Sequence, residues 1–297
     1  MAELPRDIKR RIRSVINTQQ ITRAMKMVAA SKLRKVQDRT ITLRPYTFAV
    51  TRLKDHLLES VGDLANAFVE ERPEKTVGVV FFSGDRGLCG AYNSNLIREF
   101  EKFRAANPDR NLRVFVFGKK GIAHIKKVCR QKNSRVEMCF SRFDLIKSLS
   151  FQVSLEVTKK LNADYAAGTL DSMYVIYSQF VNMASQSAGT RKLWPPSVEQ
   201  SNQEPGRYAH DYLYEPPAVE LVRPILDRYI SVSLYAAMME SVSSEYAARM
   251  TAMENATKNA DDMIDSLTLE YNKARQAFIT KELLDIVGGT EAMKAAK

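Results

Sequence analysis

From Arg6 to Arg44 the chain has neither Gly nor Pro, and apolar or small residues recur at Ile8, Ile12, Val15, Met25, Val28, Ala29, Leu33 and Val36. The intervals are mostly three, four or sums of them, which predicts one helix with a single apolar stripe. Gln19 and Thr22 interrupt that stripe with polar groups. Pro5 sits where a first helical turn tolerates it. Pro45 is expected to kink or interrupt the helix, after which a helical pattern resumes to about Leu64. The other end of the chain mirrors this, with 63 residues free of Gly and Pro between Pro224 and Gly288. Its apolar face is Leu234, Met238, Val242, Ala248, Ala252, Ala256, Ile264 and Leu267. Many of these are small, so another helix can approach closely. Helical patterns this long suggest a coiled coil. At about 1.5 Å per residue the two runs span on the order of 58 and 95 Å.

Between them the pattern changes. Thr76–Phe82, Arg113–Phe117 and Met173–Ser178 read as buried strands, while Tyr92–Ala106, Lys119–Gln131 and Leu145–Ala167 read as helices. Strand and helix alternate, which predicts a parallel sheet with helices on its faces. If this middle folds back on itself, the terminal helices can pair antiparallel. Residues 195–217 hold five of the ten prolines and read as a linker or an exposed foot. The expected organisation is a coiled-coil helix over 1–64, an α/β domain over 74–194, the foot over 195–217, a second coiled-coil helix over 218–289, and a tail over 290–297.

Charge changes the picture at one end only. Residues 1–40 contain eleven Lys or Arg against three Asp or Glu, so they hold eight of the eleven net positive charges. Such a cluster suits nucleic acid, anionic lipid or an acidic protein surface. A DNA-binding coiled coil would need leucine heptads directly after the basic stretch to pair two chains. Pro45 falls there instead, and the matching apolar stripe lies at the far end of the same chain. No apolar run approaches membrane-helix length. The Arg-rich N-terminus resembles a presequence, yet it carries Glu3, Asp7 and Asp38 and lacks a cleavage-like break, so it reads as mature protein.

Candidate chemistry is sparse. Cys89, Cys129 and Cys139 have no CxxC pairing, which argues against a zinc site or a disulfide framework. His56, His124 and His210 lie at no ligand spacing. Asp261 and Asp262 are adjacent and so do not share a helix face. The glycine-rich stretch from Ser83 to Gly90 follows a strand and precedes a helix, where a phosphate loop would sit, but it matches neither GxGxxG nor GxxxxGK[ST]. A nucleotide-dependent enzyme built on the middle domain would need that missing motif. Polar groups inside the long helices are more telling: Thr18, Gln19 and Gln20 in the first, Arg249, Gln276, Thr280 and Glu282 in the second. A helix built only to pair would be aliphatic at more positions, so these suggest hydrogen bonds to something around the coil.

Four segments resemble one family. Residues 17–35, NTQQITRAMKMVAASKLRK, and residues 269–283, LEYNKARQAFITKEL, are similar to the N- and C-terminal signatures of the gamma subunit of F-type ATP synthases. Asp85–Gly90, DRGLCG, and residues 211–216, DYLYEP, resemble two more, in the same order. The resemblance covers both ends strongly and the middle loosely. It implies an antiparallel coiled coil with a Rossmann-like α/β domain at its base. It further implies a central shaft inside a ring of three alpha and three beta subunits, with its foot on a membrane ring of c subunits and an epsilon subunit beside it. Ion flow through the c-ring would turn the shaft and change nucleotide binding at the catalytic beta subunits.

By the same resemblance, Met25 and Lys26 would face the acidic lever of a beta subunit, and Arg249, Gln276, Thr280 and Glu282 would catch beta-subunit loops. Tyr212, Tyr214 and Glu215 would meet the c-ring and epsilon. Leu283, Leu284, Ile286 and Val287 would turn in the sleeve at the top of the ring. The chain itself would be non-catalytic and bind no cofactor or metal, Mg-ATP and ADP residing on alpha and beta. It would bind no nucleic acid and lie on the cytoplasmic face of a bacterial inner membrane. Phe278 and Gly84 depart from the pattern, standing where Ala or Ser, and Ser or Thr, are common. The dithiol insertion of the chloroplast version is not present.

Overall fold

A computed structural model describes residues 4–62, 64, 72–144, 149–183, 185–196 and 212–295. The elements in order are α1 (Pro5–Val61), β1 (Thr76–Phe82), α2 (Tyr92–Ala106), β2 (Asn111–Phe117), α3 (Lys119–Cys129), β3 (Val136–Arg142), α4 (Phe151–Ala166), β4 (Ser172–Phe180), β5 (Gln186–Trp194) and α5 (Ala218–Ala295). The chain divides into two compact units, Met1–Ala29 with Met250–Lys297, and Ala30–Arg249.

The break expected at Pro45 does not occur, because α1 continues through it. An internal proline removes one hydrogen bond and crowds the preceding turn, at a cost of about 3 kcal/mol. On either side of it Leu33, Val36, Val50, Leu57 and Leu58 are buried. Each such side chain contributes about 1.5–3 kcal/mol, so packing outweighs the proline. The helix stops at Gly62, whose φ of 56° is the left-handed geometry that ends helices. At the other terminus α5 runs on through residues 290–295, beyond the boundary expected for its tail. Most of the proline-rich foot, residues 197–211, lies outside the described residues, as does the start expected for the helix at Leu145.

The second unit holds a five-stranded sheet in the order β3-β2-β1-β4-β5. The first four strands are parallel, and β5 closes the edge antiparallel to β4. The central strand β1, TVGVVFF, is buried on both faces, as an all-apolar run in a covered parallel sheet must be. On one face Val77, Val79 and Phe81 join Leu96 and Phe100 of α2 and Ile125 and Val128 of α3. On the other, Val80, Phe82 and Phe117 share an apolar gap with Val153 and Val157 of α4 and Leu234 and Met238 of α5.

Charged groups fasten the N-terminal edge of the sheet. Glu74 pairs with Arg110, accepts from Tyr174 at 3.2 Å, and lies 3.0 Å from Lys192. Burial pushes the Glu74 carboxyl up, but Lys192, Arg110 and the Tyr174 hydroxyl pull it further down, below its usual 4.5. The unfolded chain therefore binds more protons in acid. This group stabilises the fold above about pH 4.5, and that contribution is lost as pH falls through the lower folded value. Glu74→Gln should flatten the acid limb. Its urea midpoint should drop less than the parent's between about pH 5 and pH 3, and equal drops would remove Glu74 from the account.

Candidate functional site

In the first unit the ends of α1 and α5 are joined by three side-chain pairs. Gln19 donates to Asp261, the hydroxyls of Thr257 and Thr22 are 2.9 Å apart, and Lys26 Nζ lies 2.7 Å from Glu254 Oε1. As numbers rise along α1 they fall in step along α5, so the pairing is antiparallel, in the register that the sequence left open. Ile8, Ala29, Met253, Ala260 and Leu267 are buried along the seam. Small residues such as Ala29 and Ala260 are what close helix approach requires. The polar breaks at Gln19 and Thr22 are thus seam contacts between the helices. Asp261 takes part in one of them while remaining exposed.

Extended by this register, the start of α1 near Pro5 lies level with about residue 275 of α5. Beyond it α5 continues to Ala295 with no described part of α1 beside it. Phe278, Ile279, Leu283, Leu284, Ile286 and Val287 are there between 42% and 65% exposed. Gln276, Thr280 and Glu282 lie on the same stretch and are exposed. The Thr280 hydroxyl donates to the Gln276 carbonyl at 3.0 Å, which leaves its lone pairs outward. Met25 and Lys26 are half-exposed, and Lys9, Arg10, Arg13 and Arg23 are exposed along α1. The overhang therefore offers apolar side chains and hydrogen-bonding groups, and the pair below it offers positive charge.

Arg249 is differently placed. It belongs to the second unit and is buried, with Nη2 2.6 Å from Glu245 Oε1 one turn earlier on α5. Around this pair lies the glycine-rich turn. Gly84 N donates to Asn93 Oδ1 at 2.9 Å, and Lys119 N donates to Asp85 Oδ1 at 3.0 Å. Ligands of doubly wound sheets bind at the carboxyl ends of the strands, where strand order reverses, here between β1 and β4. In this protein α5 fills that place. Ser241 Oγ accepts from Ser178 N at 3.1 Å, Ser244 Oγ donates to Ser178 O at 3.0 Å, and Tyr92 donates to the Ser241 carbonyl. The Glu245 carboxylate is the charge that the pocket of a phosphate would exclude. Burial raises this carboxyl and Arg249 draws it back, leaving it above the usual range. The glycine-rich turn thus packs against Glu245 and Arg249 of α5.

The remaining residues lie before α5. Tyr212 packs edge-on to His56 of α1 with ring centroids 5.2 Å apart, and Tyr214 stands beside it at 6.1 Å. Leu213 is 97% exposed between them, and Glu215 is exposed as well. Among the described residues no group of His, Cys, Asp or Glu could hold a metal ion. His124 is bound to Glu101 at 2.7 Å. The described cysteines are all free thiols.

A family model described as ATP synthase matches residues 5–293. ATP synthase gamma chains of Moorella thermoacetica and Geotalea uraniireducens are 39% and 36% identical to this chain, over 97% and 99% of it and 99% and 100% of their own length. The chain belongs to the ATP synthase gamma chain family.

Solved structures agree with this family. A chain of the Euglena gracilis mitochondrial ATP synthase, from an assembly of OSCP, F1 and c-ring in rotational state 3, matches 99% of this chain and 95% of its own at a TM-score of 0.70 and 25% identity. A chain from the central stalk and c-ring of the Tetrahymena thermophila mitochondrial enzyme matches 80% and 99% at 0.61 and 26%. As a gamma chain the protein is a subunit of an enzyme complex. Of the residues expected to contact the beta subunits, Met25, Lys26, Gln276, Thr280 and Glu282 belong to the first unit, as do the four tip residues, and Arg249 belongs to the second, as does the Tyr212–Glu215 group. Sequence reading missed Glu245, Ser241, Ser244 and Ser178. The spacing of Glu245 and Arg249 by four, beside a buried helix face, is the signal that could have found the first of these.

Proposed function

We propose that this gamma chain is the non-catalytic central shaft of an F-type ATP synthase. Its coiled coil sits within a hexamer of alpha and beta subunits, its foot rests on the c-ring beside epsilon, and it lies on the cytoplasmic face of a bacterial inner membrane. Nucleotide and Mg belong to alpha and beta. The observation that carries this reading is the overhang of α5, a lone helix with six exposed apolar side chains flanked by Gln276, Thr280 and Glu282. Such a surface calls for a sheath with an apolar lining and polar loops. Leu283, Leu284, Ile286 and Val287 turn in that lining, while Gln276, Thr280 and Glu282 engage beta-subunit loops. The basic face with Met25 and Lys26 meets acidic beta levers, and Tyr212, Tyr214 and Glu215 meet the c-ring and epsilon. None of the described helices is long and apolar enough to cross a membrane.

One asymmetric coil presents a different face to each of three identical beta subunits. Each is biased to a different nucleotide affinity only through differential contacts. A tenfold difference needs about 1.4 kcal/mol. Turning the coil passes that bias from site to site. Exposed charge pairs worth roughly 0–1 kcal/mol suit the basic face, since a deep well would stall rotation.

The test is reconstitution with purified alpha and beta subunits. The chain should enter at one copy per three of each and bring steady ATP hydrolysis. Gln276→Leu should then lower turnover several-fold, as loss of one hydrogen bond worth about 1 kcal/mol implies. A chain that neither co-purifies nor changes the rate refutes the shaft reading.

A further inference from the structure

The pair Glu245–Arg249 is unusual for its depth. The side chains are only 4% and 10% exposed. A buried ion pair seldom adds stability over well-packed apolar residues of the same volume, so stability is a poor reason for its presence. Its surroundings suggest a different one. A Cβ on Gly84 would stand 3.1 Å from Glu245 Cδ and 3.2 Å from its Oε1, so a larger residue there would need the carboxylate to give way by a few tenths of an ångström. Asn93 holds the rest of the turn. Its Oδ1 accepts from Gly84 N at 2.9 Å, and its Nδ2 lies 3.2 Å from both Arg86 O and Cys89 Sγ. Arg249 Nη2 reaches towards Gly87 O at 3.5 Å. The Tyr92 hydroxyl donates to Ser241 O one turn earlier on α5, at 3.0 Å.

The turn so enclosed carries a strained residue. Leu88 has φ of 60°, costly for any residue with a Cβ, and is 64% exposed. Strain of this kind persists where the surroundings over-determine the backbone. Here it fixes the direction of an apolar side chain, with exposed Arg86 in the same turn.

We propose that Glu245 is a positioning residue for coupling: its enclosed carboxylate holds Arg249 against the turn of residues 84–90, so that this turn and α5 move as one solid body. The proposal rests on the shaft reading and deepens it. A turn tied to the helix displaces its outward Leu88 by the full angle through which α5 rotates. A loose turn lags and dissipates the motion. Groups facing the carboxylate come from both sides: Arg249 and Tyr246 on α5, Asp85, Arg86 and Cys89 in the turn, and Tyr92 at the start of α2. Arg249 therefore serves the joint from inside.

The joint is read on the full chain alone by hydrogen exchange, and coupling is read in the reconstituted complex. Glu245→Gln keeps the volume and an acceptor but removes the charge. Its melting temperature should fall by several degrees, since Arg249 is left buried without its carboxylate, while amides of residues 84–90 exchange at least about tenfold faster, beyond the change at amides elsewhere in the chain. The double variant Glu245→Met with Arg249→Met, measured as the chain alone, should also stay folded and show the same fast exchange. In the complete enzyme, with its membrane ring reconstituted into vesicles, Glu245→Gln should hydrolyse ATP at the parent's rate but pump ions at least about threefold less per ATP. Unchanged exchange in both variants, or an unchanged pumping ratio, overturns the proposal. Failure of the parent chain to assemble overturns the shaft reading instead and leaves the exchange result standing.

Discussion

Gly118→Ala should not yield a folded chain of parental stability. Gly118 joins β2 to α3 with φ of 91°, and a Cβ there would lie 2.1 Å from the carbonyl oxygen of Ser83. That oxygen is backbone at the end of β1, so no rotamer change can clear it. The contact is part of how β1 leaves the sheet. Ser83 N donates to Phe117 O at 2.9 Å, its hydroxyl donates to the same carbonyl at 2.7 Å, and Gly121 N donates back to that hydroxyl at 2.8 Å. Left-handed strain of about 1–3 kcal/mol adds to an overlap of similar cost, for a loss of about 4 kcal/mol. Chemical denaturation of Gly118→Ala beside its parent checks this. A midpoint change equivalent to under about 1 kcal/mol would show that the Ser83 strand end moves freely.

Lys54→Ala is the second large effect. Lys54 is 1% exposed in α1, with Nζ 2.7 Å from Asp55 Oδ1 and 4.8 Å above the ring of Tyr229 in α5. Alanine removes both the packed stem and the cation, leaves a cavity, and strips Asp55 of a charge partner. The expected loss is about 4 kcal/mol. Lys54→Met keeps the stem. Because Asp55 is 16% exposed, its carboxylate can turn to water, and the loss should shrink to about 2 kcal/mol. Urea unfolding of the two variants separates the contributions. If methionine is as damaging as alanine, the cation over Tyr229 and beside Asp55 matters more than its stem.

The long helices were legible because thirty or more residues without Gly or Pro leave the backbone few alternatives. Strand β1 and helix α2 were legible at their observed ends, since β1 is a continuous apolar run and α2 follows a glycine-rich turn. Strands β3 and β5 were not. They are the two edges, and their burial is partial, Val136 alone being fully buried in β3 and only Leu193 and Trp194 in β5. Polar residues such as Glu137, Ser141, Arg191 and Lys192 blur the pattern, and the neighbouring strand decides the conformation. Pro45 does not interrupt α1, and local propensity cannot register the packing on either side of it. The site divides the same way. The apolar end of α5 could be read from its composition, whereas Glu245 and Lys54 look like solvated charges on helices. Only the fold brings Gly84 to the one and Tyr229 to the other.

The overhang of α5 has a mechanical meaning. Two helices bonded side by side resist bending far more than the same helices apart, since material away from the neutral axis carries most of the load. Past the last contact with α1, α5 loses that bracing and becomes a slender rod, and Gly288 and Gly289 lie within it. The doubled segment is the stiff member and the single-helix end is the compliant one. When load meets both, flexure concentrates in the last turns, and the doubled part keeps its shape.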